Sequence, residues 1–175
     1  MDCGWAPRMG PCLLIVFIET NLLCVAAIEK AVALCVEGAD ISTICGTIDE
    51  FVDEELKKTF SNKKTKKLDR GIAFPCCISV NEMAAHFSPC PEDSLKLNNE
   101  DLVKIEVGAH IDGYAANAAT TIVVGGKSKG KQADAVLAAY NAMIAATRLL
   151  KVGALNQDVT AKIQEICDIY GVNPV

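Results

Sequence analysis

Apolar residues recur at helical spacing in several stretches of the chain. In one of them Ile44, Ile48, Val52 and Leu56 repeat every fourth residue, with acidic residues between them. This spacing is typical of a helix that buries one face. The same kind of pattern predicts helices over residues 22–36, 41–59 and 132–150, and a last helix that Asn156 or Asp158 caps and Gly171 ends.

Strand-like runs lie between these helices. Residues 71–80 form an extended run in which Pro75 indicates an edge or a bulge. Two further runs, 102–111 and 114–124, are separated by Asp112-Gly113, a strong signal for a two-residue hairpin turn. Helices, then strands, then helices predict an α+β fold.

The predicted turn sorts the hairpin residues onto two faces. It places Ile111 opposite Tyr114 and Ala109 opposite Ala116, and side chains alternate along each strand. One face is almost wholly apolar and is predicted to face the core. The other face is either a solvent-facing surface or the floor of a site. Its polar residues and glycine are Lys104, Glu106, Gly108, His110, Asn117 and Thr121.

The N-terminal segment is very apolar over residues 12–28, but Glu19-Thr20-Asn21 interrupts it. A contiguous apolar span of about 18 residues, which a membrane helix requires, is therefore missing, and we predict no membrane span. We predict that the N-terminal residues form a buried or aberrant segment. The alternative is a secretory signal over residues 1–28, in which Arg8 is the basic flank before the apolar run. The nine cysteines are odd in number and form no CxxC pair, which favours reduced thiols in a cytoplasmic and nuclear protein.

The net charge of −5 argues against nucleic-acid binding over the whole surface, so any basic contact must be local. Seven of the 17 Lys and Arg residues fall between residues 57 and 70. Such a cluster neutralises phosphates without reading sequence, although a short lysine run is also a common solvated loop. The candidate nucleic-acid-binding residues are Lys57, Lys58, Lys63, Lys64, Lys66, Lys67 and Arg70.

Two long motifs carry a family resemblance. GIAFPCCISVNEMAAHFSP (71–89) and DLVKIEVGAHIDGYAANAATTIVV (101–124) resemble the methionine aminopeptidase superfamily, and within it the proliferation-associated, ErbB-receptor-binding branch. The resemblance implies a pita-bread fold, of which this chain would hold the first αβ half, residues 31–175. Residues 1–30 are expected to lie outside the family match.

The resemblance also implies a site. In active members the hairpin supplies two aspartates to a dinuclear metal centre, and those positions fall on Glu106 and Asn117. A histidine that assists substrate binding matches His86. Glutamate adds a methylene and Asn117 is neutral, so these ligand positions are degenerate, His86 is vestigial, and we expect no bound metal or other cofactor. We interpret His110 as structural or exposed, and Cys90 lacks the third group that a Cys/His nucleophile needs.

Three functions follow as expectations. The first is a non-catalytic, regulatory binding protein, because the resemblance implies ribosome or structured-RNA association, protein partners, and control of growth and translation. The second is a degenerate or active metal-dependent methionine aminopeptidase. The third is a truncated product with no independent function, suggested by the unrelated N-terminus and by the end of the chain before the second half. The oligomeric state is left open.

Overall fold

The computed structural model describes residues 11–59 and 68–175. The chain divides into two compact units, the first ending at Gly126 and the second beginning at Lys127. The described elements are α1 (Pro11–Leu34), α2 (Ile41–Lys58), β1 (Arg70–Val80), β2 (Leu102–Ile111), β3 (Tyr114–Val123), α3 (Lys131–Leu149) and α4 (Asn156–Tyr170). The mixed helix and strand content agrees with the predicted α+β class.

The hairpin of β2 and β3 has the predicted register. Ile111 pairs with Tyr114 and Ala109 pairs with Ala116 in an antiparallel ladder. Asp112 and Gly113 both have positive φ, 54° and 79°, which is the geometry of a type I′ turn. The division of the hairpin into two faces is therefore confirmed.

β1 pairs antiparallel with β2, which gives the described residues a sheet of order β1-β2-β3. The ladder is irregular between Ile72 and Phe74 and again between Phe74 and Cys77. Pro75 lies in the second irregularity, because a proline cannot donate to the ladder. The predicted bulge is thus confirmed, and beyond it Cys77 lies directly opposite Glu106.

The core of the first unit lies between this sheet and the two helices that precede it. The predicted apolar face of β2 is buried from Val103 to Ile111 at every second residue. Ile48 of α2 and Ile78 of β1 are fully buried in the same cluster. The opposite face of the hairpin is left half-buried or exposed, apart from Gly108.

Helix α1 starts at Pro11, well before the predicted start at residue 22. The polar interruption does not break it, because Thr20 Oγ1 donates to the carbonyl of Val16 at 2.7 Å and Asn21 Nδ2 donates to that of Phe17 at 2.7 Å. Both side chains thus make hydrogen bonds to backbone carbonyls of the same helix. The helix also continues through residue 30, after which the family match was expected to begin.

One face of α1 belongs to the core of the first unit. Cys24, Ala27 and Ala31 are fully buried, and Leu23 is nearly so. The Cys24 thiol donates to the carbonyl of Ala116 on β3 at 3.3 Å. The described part of the apolar N-terminal segment is therefore packed against the sheet.

Both ends of α2 are fixed by side chains. Asp40 is the N-cap, and its carboxylate accepts from the Thr43 backbone N–H at 3.0 Å and from the Ser42 hydroxyl at 2.8 Å. These hydrogen bonds to the ionised form hold the pKa of Asp40 well below its usual range. At the other end the Arg70 guanidinium donates to the carbonyls of Leu56 and Thr59.

The second unit consists of α3 and α4. Ala138, Ala142 and Cys167 are buried, and Asn141 Nδ2 donates to the Tyr170 hydroxyl at 2.8 Å. The prediction that Gly171 ends α4 is confirmed, since it adopts the left-handed conformation with φ 64°.

The predicted N-cap of α4 was wrong. Leu155 occupies the cap and makes no side-chain cap hydrogen bond, whereas Asn156 is already the first helical residue.

None of the helices in residues 11–59 and 68–175 is long and apolar enough to cross a membrane. The cysteines whose side chains the structure describes are free thiols, and all of them except Cys90 are buried: Cys24, Cys35, Cys45, Cys76, Cys77, Cys90 and Cys167.

Candidate functional site

The polar face of the hairpin is built around a glycine. Gly108 pairs with Asn117 on β3 and with Phe74 on β1, so both neighbours flank it on the same face. A Cβ at Gly108 would lie 2.7 Å from Phe74 Cδ1 and 2.9 Å from Asn117 Oδ1. Both side chains therefore lie over the bare backbone of Gly108. Glu106 is the next residue of β2 on this face.

His86 is brought to this face by the loop that follows β1. Its Nδ1 lies 3.1 Å from a carboxylate oxygen of Glu106, with the His86 side chain 80% exposed and that of Glu106 18% exposed. The backbone of His86 has φ 64°, a left-handed conformation that costs free energy in a non-glycine residue.

Hydrogen bonds of the next residue hold His86 in place. Ile78 N–H donates to the carbonyl of Phe87 at 2.8 Å, and Phe87 N–H donates to the Ser79 hydroxyl at 3.2 Å. The loop is thus tied along β1, which points the imidazole at the hairpin.

Cys77 is the residue of this face that sequence reasoning missed. It lies on β1 directly opposite Glu106 and is buried, with its thiol donating to the Pro75 carbonyl at 3.2 Å. Burial, together with the nearby charge of Glu106, raises the pKa of Cys77 to about 11. The pairing depends on two irregularities in β1, of which Pro75 indicated the second but not the resulting register.

The two other residues considered from the sequence stay outside this group. His110 lies on the same face, paired with Gly71, and its Nδ1 is buried without a hydrogen-bond partner among the described residues. Cys90 is exposed and is not part of the cluster that His86 joins.

The comparisons with known proteins place the chain in a family. The sequence model of metallopeptidase family M24 matches residues 18–174, a range that starts inside the apolar N-terminal segment. The chain belongs to metallopeptidase family M24. It also resembles the thermophilic Arx1 structure with a TM-score of 0.76 at 23% identity, covering 93% of this chain and 50% of that one. This likeness confirms the pita-bread fold.

Curated relatives identify the branch of M24. The chain is 44% identical over 153 residues to proliferation-associated protein A of Dictyostelium discoideum, covering 85% of this chain and 39% of that protein. It is 45% identical over 152 residues to the curved DNA-binding protein of Schizosaccharomyces pombe, with the same coverage. It is 41% identical over 145 residues to ErbB-3 binding protein 1 of Arabidopsis thaliana, covering 82% and 37%. The predicted branch is confirmed, and the chain spans about two fifths of the length of these relatives.

The two-ion centre that the M24 resemblance implies does not fit these residues. Two adjacent dications need several carboxylates, both to coordinate them and to offset their charge. The hairpin offers one carboxylate, Glu106, and the exposed, neutral amide of Asn117. In the described ranges, the cluster of three Cys, His, Asp or Glu donors consists of Cys77, His86 and Glu106, and it adds no second carboxylate.

The basic residues divide into two groups. Lys57 contacts Asp53 at 2.5 Å and Lys58 contacts Glu55 at 2.6 Å, while Arg70 donates to backbone carbonyls at the end of α2. The others, Lys63, Lys64, Lys66 and Lys67, lie outside the described residues. Arg70 therefore has a structural role at the junction of α2 and β1, whatever else it contacts.

Proposed function

We propose that this chain is a non-catalytic M24 homologue that acts as a binding and regulatory protein, with RNA or the ribosome as its target. The observation that supports the absence of catalysis is the identity of residue 117, an asparagine. At the second hairpin position a neutral amide stands where the resemblance implies an aspartate. Its oxygen is a weaker ligand than a carboxylate and brings no negative charge.

The names of the relatives support a binding role. One is called a curved DNA-binding protein and another an ErbB-3 binding protein, so each is named for a binding partner. By analogy we propose regulatory proteins as further partners and action in the cytoplasm and nucleus. Because this chain spans only about two fifths of those relatives, the activity of the whole protein is part of the proposal.

Methionine aminopeptidase activity is the second candidate. The observation in its favour is that His86 is held beside Glu106 at 3.1 Å, as a group that assists substrate binding would be. We expect no turnover of a chromogenic Met-peptide by the purified chain, with or without added manganese or cobalt. Metal-dependent turnover that His86→Ala abolishes would establish the enzyme and refute the non-catalytic proposal.

The basic residues 57–67 are the proposed RNA contact. A cluster of lysines binds phosphates electrostatically, and each phosphate contact steepens the dependence of affinity on salt. Lys57 and Lys58 each form an exposed ion pair with an acidic residue of α2. Exposed ion pairs are weak enough to be exchanged for phosphate contacts.

Replacing Lys57, Lys58, Lys63, Lys64, Lys66 and Lys67 by Gln should weaken binding of ribosomal RNA. The slope of log affinity against log salt should become shallower by about 0.7 to 0.9 for each phosphate that the variant no longer neutralises. Filter binding across a salt series measures both quantities.

The matched control changes six lysines elsewhere: Lys96, Lys127, Lys129, Lys131, Lys151 and Lys162 to Gln. It alters the net charge by the same amount, so an equal loss of affinity in both variants would indicate a general charge effect. The proposed contact would be refuted if both variants lost the same affinity for RNA. It would also be refuted if replacing the six lysines between residues 57 and 67 caused no loss of affinity.

A further inference from the structure

Three potential metal donors converge on the polar face of the sheet. The Cys77 sulfur, one imidazole nitrogen of His86 and one carboxylate oxygen of Glu106 all lie within 4.8 Å of one another. They come from three different parts of the chain: β1, the loop after it, and β2. Their convergence is therefore a product of the fold and not of sequence adjacency.

Independent backbone features bring each donor to this place. The bulged register of β1 sets Cys77 directly opposite Glu106. Hydrogen bonds of Phe87 to β1 fix the loop, and the left-handed φ of 64° turns His86 toward the strands. Non-glycine residues with strained backbone cluster at functional sites.

The donor set is suited to zinc. Zinc binds thiolate, imidazole and carboxylate, at about 2.3 Å to sulfur and about 2.0–2.2 Å to nitrogen and oxygen. A thiolate and a carboxylate together supply two negative charges, which offset those of a single dication. The oxygen-preferring ions magnesium, calcium and manganese would gain little from the sulfur.

Burial is graded across the three donors. Cys77 is buried, Glu106 is half-buried, and His86 is exposed. An ion held here would have protein on the sulfur side and solvent on the imidazole side. Three protein ligands with one open position are the usual arrangement of reactive zinc sites.

We propose that Cys77, His86 and Glu106 form a binding site for a single zinc ion, with a fourth coordination position open to solvent. On binding, the Cys77 thiol gives its proton to the solvent and a Zn–S bond forms. The ion replaces the direct contact between His86 and Glu106. This site is distinct from the two-ion centre, because a thiol and an imidazole take the place of the second hairpin carboxylate. It changes the expectation of no bound metal, and it depends neither on RNA binding nor on the absence of peptidase activity.

Cobalt(II) substitution tests the proposal without an activity assay. Cobalt bound to a thiolate gives a sulfur-to-metal charge-transfer band in the near ultraviolet. We expect this band to saturate at one cobalt per chain and to disappear when zinc is added. Cys77→Ala should abolish it and weaken zinc binding at least about 100-fold, since even outer-shell changes cost 10- to 100-fold.

Cys90→Ala is the matched control, because Cys90 is an exposed thiol four residues from His86 and outside the cluster. It should keep both the band and the affinity. His86→Ala and Glu106→Gln should keep the band but weaken the affinity. Melting curves of each variant without metal establish that it is folded.

A zinc-dependent rise in Tm provides a second readout, because a ligand that binds only the folded state stabilises it. The wild type should show the rise and Cys77→Ala should not. No band in the wild type, or a band that survives Cys77→Ala and is lost in Cys90→Ala, would overturn the proposal.

Discussion

Ala27→Glu is expected to abolish cooperative folding of the first unit or to lower its stability severely. Ala27 is fully buried on the face of α1 that joins the core with Cys24 and Ala31. A glutamate there would be an uncompensated buried charge, which costs about 3–5 kcal/mol. The total stability of a small domain is only about 5–15 kcal/mol. Thermal and urea unfolding followed by circular dichroism measures the loss of stability.

Ala26→Glu is the control, because the neighbouring residue is exposed on the same helix. It introduces the same side chain and charge, and the change in helix propensity costs less than about 0.7 kcal/mol. The two variants should therefore differ by several kcal/mol. Equal stabilities would mean that α1 is not part of the core of the first unit.

Gly108→Ala is expected to destabilise the sheet by about 1–3 kcal/mol, the usual cost of overpacking. The new methyl group would fall within 3 Å of the Phe74 ring and of Asn117 Oδ1. Relief requires the Phe74 ring and the Asn117 amide to shift on the face that also carries Glu106. Equilibrium urea denaturation measures the change in the free energy of unfolding.

Gly46→Ala should change stability in the opposite direction. Gly46 lies in α2 with nothing within 4 Å of its would-be Cβ. Alanine is favoured over glycine inside a helix by up to about 1 kcal/mol. If Gly108→Ala destabilised the protein no more than Gly46→Ala, Phe74 and Asn117 would not be packed closely over Gly108.

The hairpin was the part of the fold that local chemistry could predict. Asp112-Gly113 fixes a two-residue turn, the turn fixes the register, and the register sorts Glu106 and Asn117 onto one face. Each step depends on residues adjacent in the chain. The resemblance of two long motifs then supplied the fold family, which residue patterns alone do not specify.

The third donor of the proposed zinc site could not be predicted in this way. Cys77 reaches Glu106 only because β1 contains two irregularities before it, and a slip of one residue would turn the side chain to the other face. His86 likewise depends on a left-handed residue in an irregular loop. Pro75 indicates one irregularity locally, but the register of the strands and the loop conformation depend on long-range contacts.

The start of α1 and the role of Arg70 also could not be predicted from the local sequence. Glu19-Thr20-Asn21 resembles a break, yet Thr20 and Asn21 bond to the helix's own carbonyls. Arg70 belongs to a run of basic residues in the sequence, yet its guanidinium donates to the end of α2. Composition shows the charge of a segment but not the contacts of each side chain.

The most direct test of the central claim is the manganese occupancy of the hairpin. Crystals soaked in manganese should show no pair of anomalous peaks between Glu106 and Asn117, because Asn117 supplies no charge to hold a second ion. Asn117→Asp, which adds the missing carboxylate, should bind manganese more tightly than the wild type. Two peaks about 3.5–4 Å apart in the wild-type protein would contradict the loss of the two-ion centre.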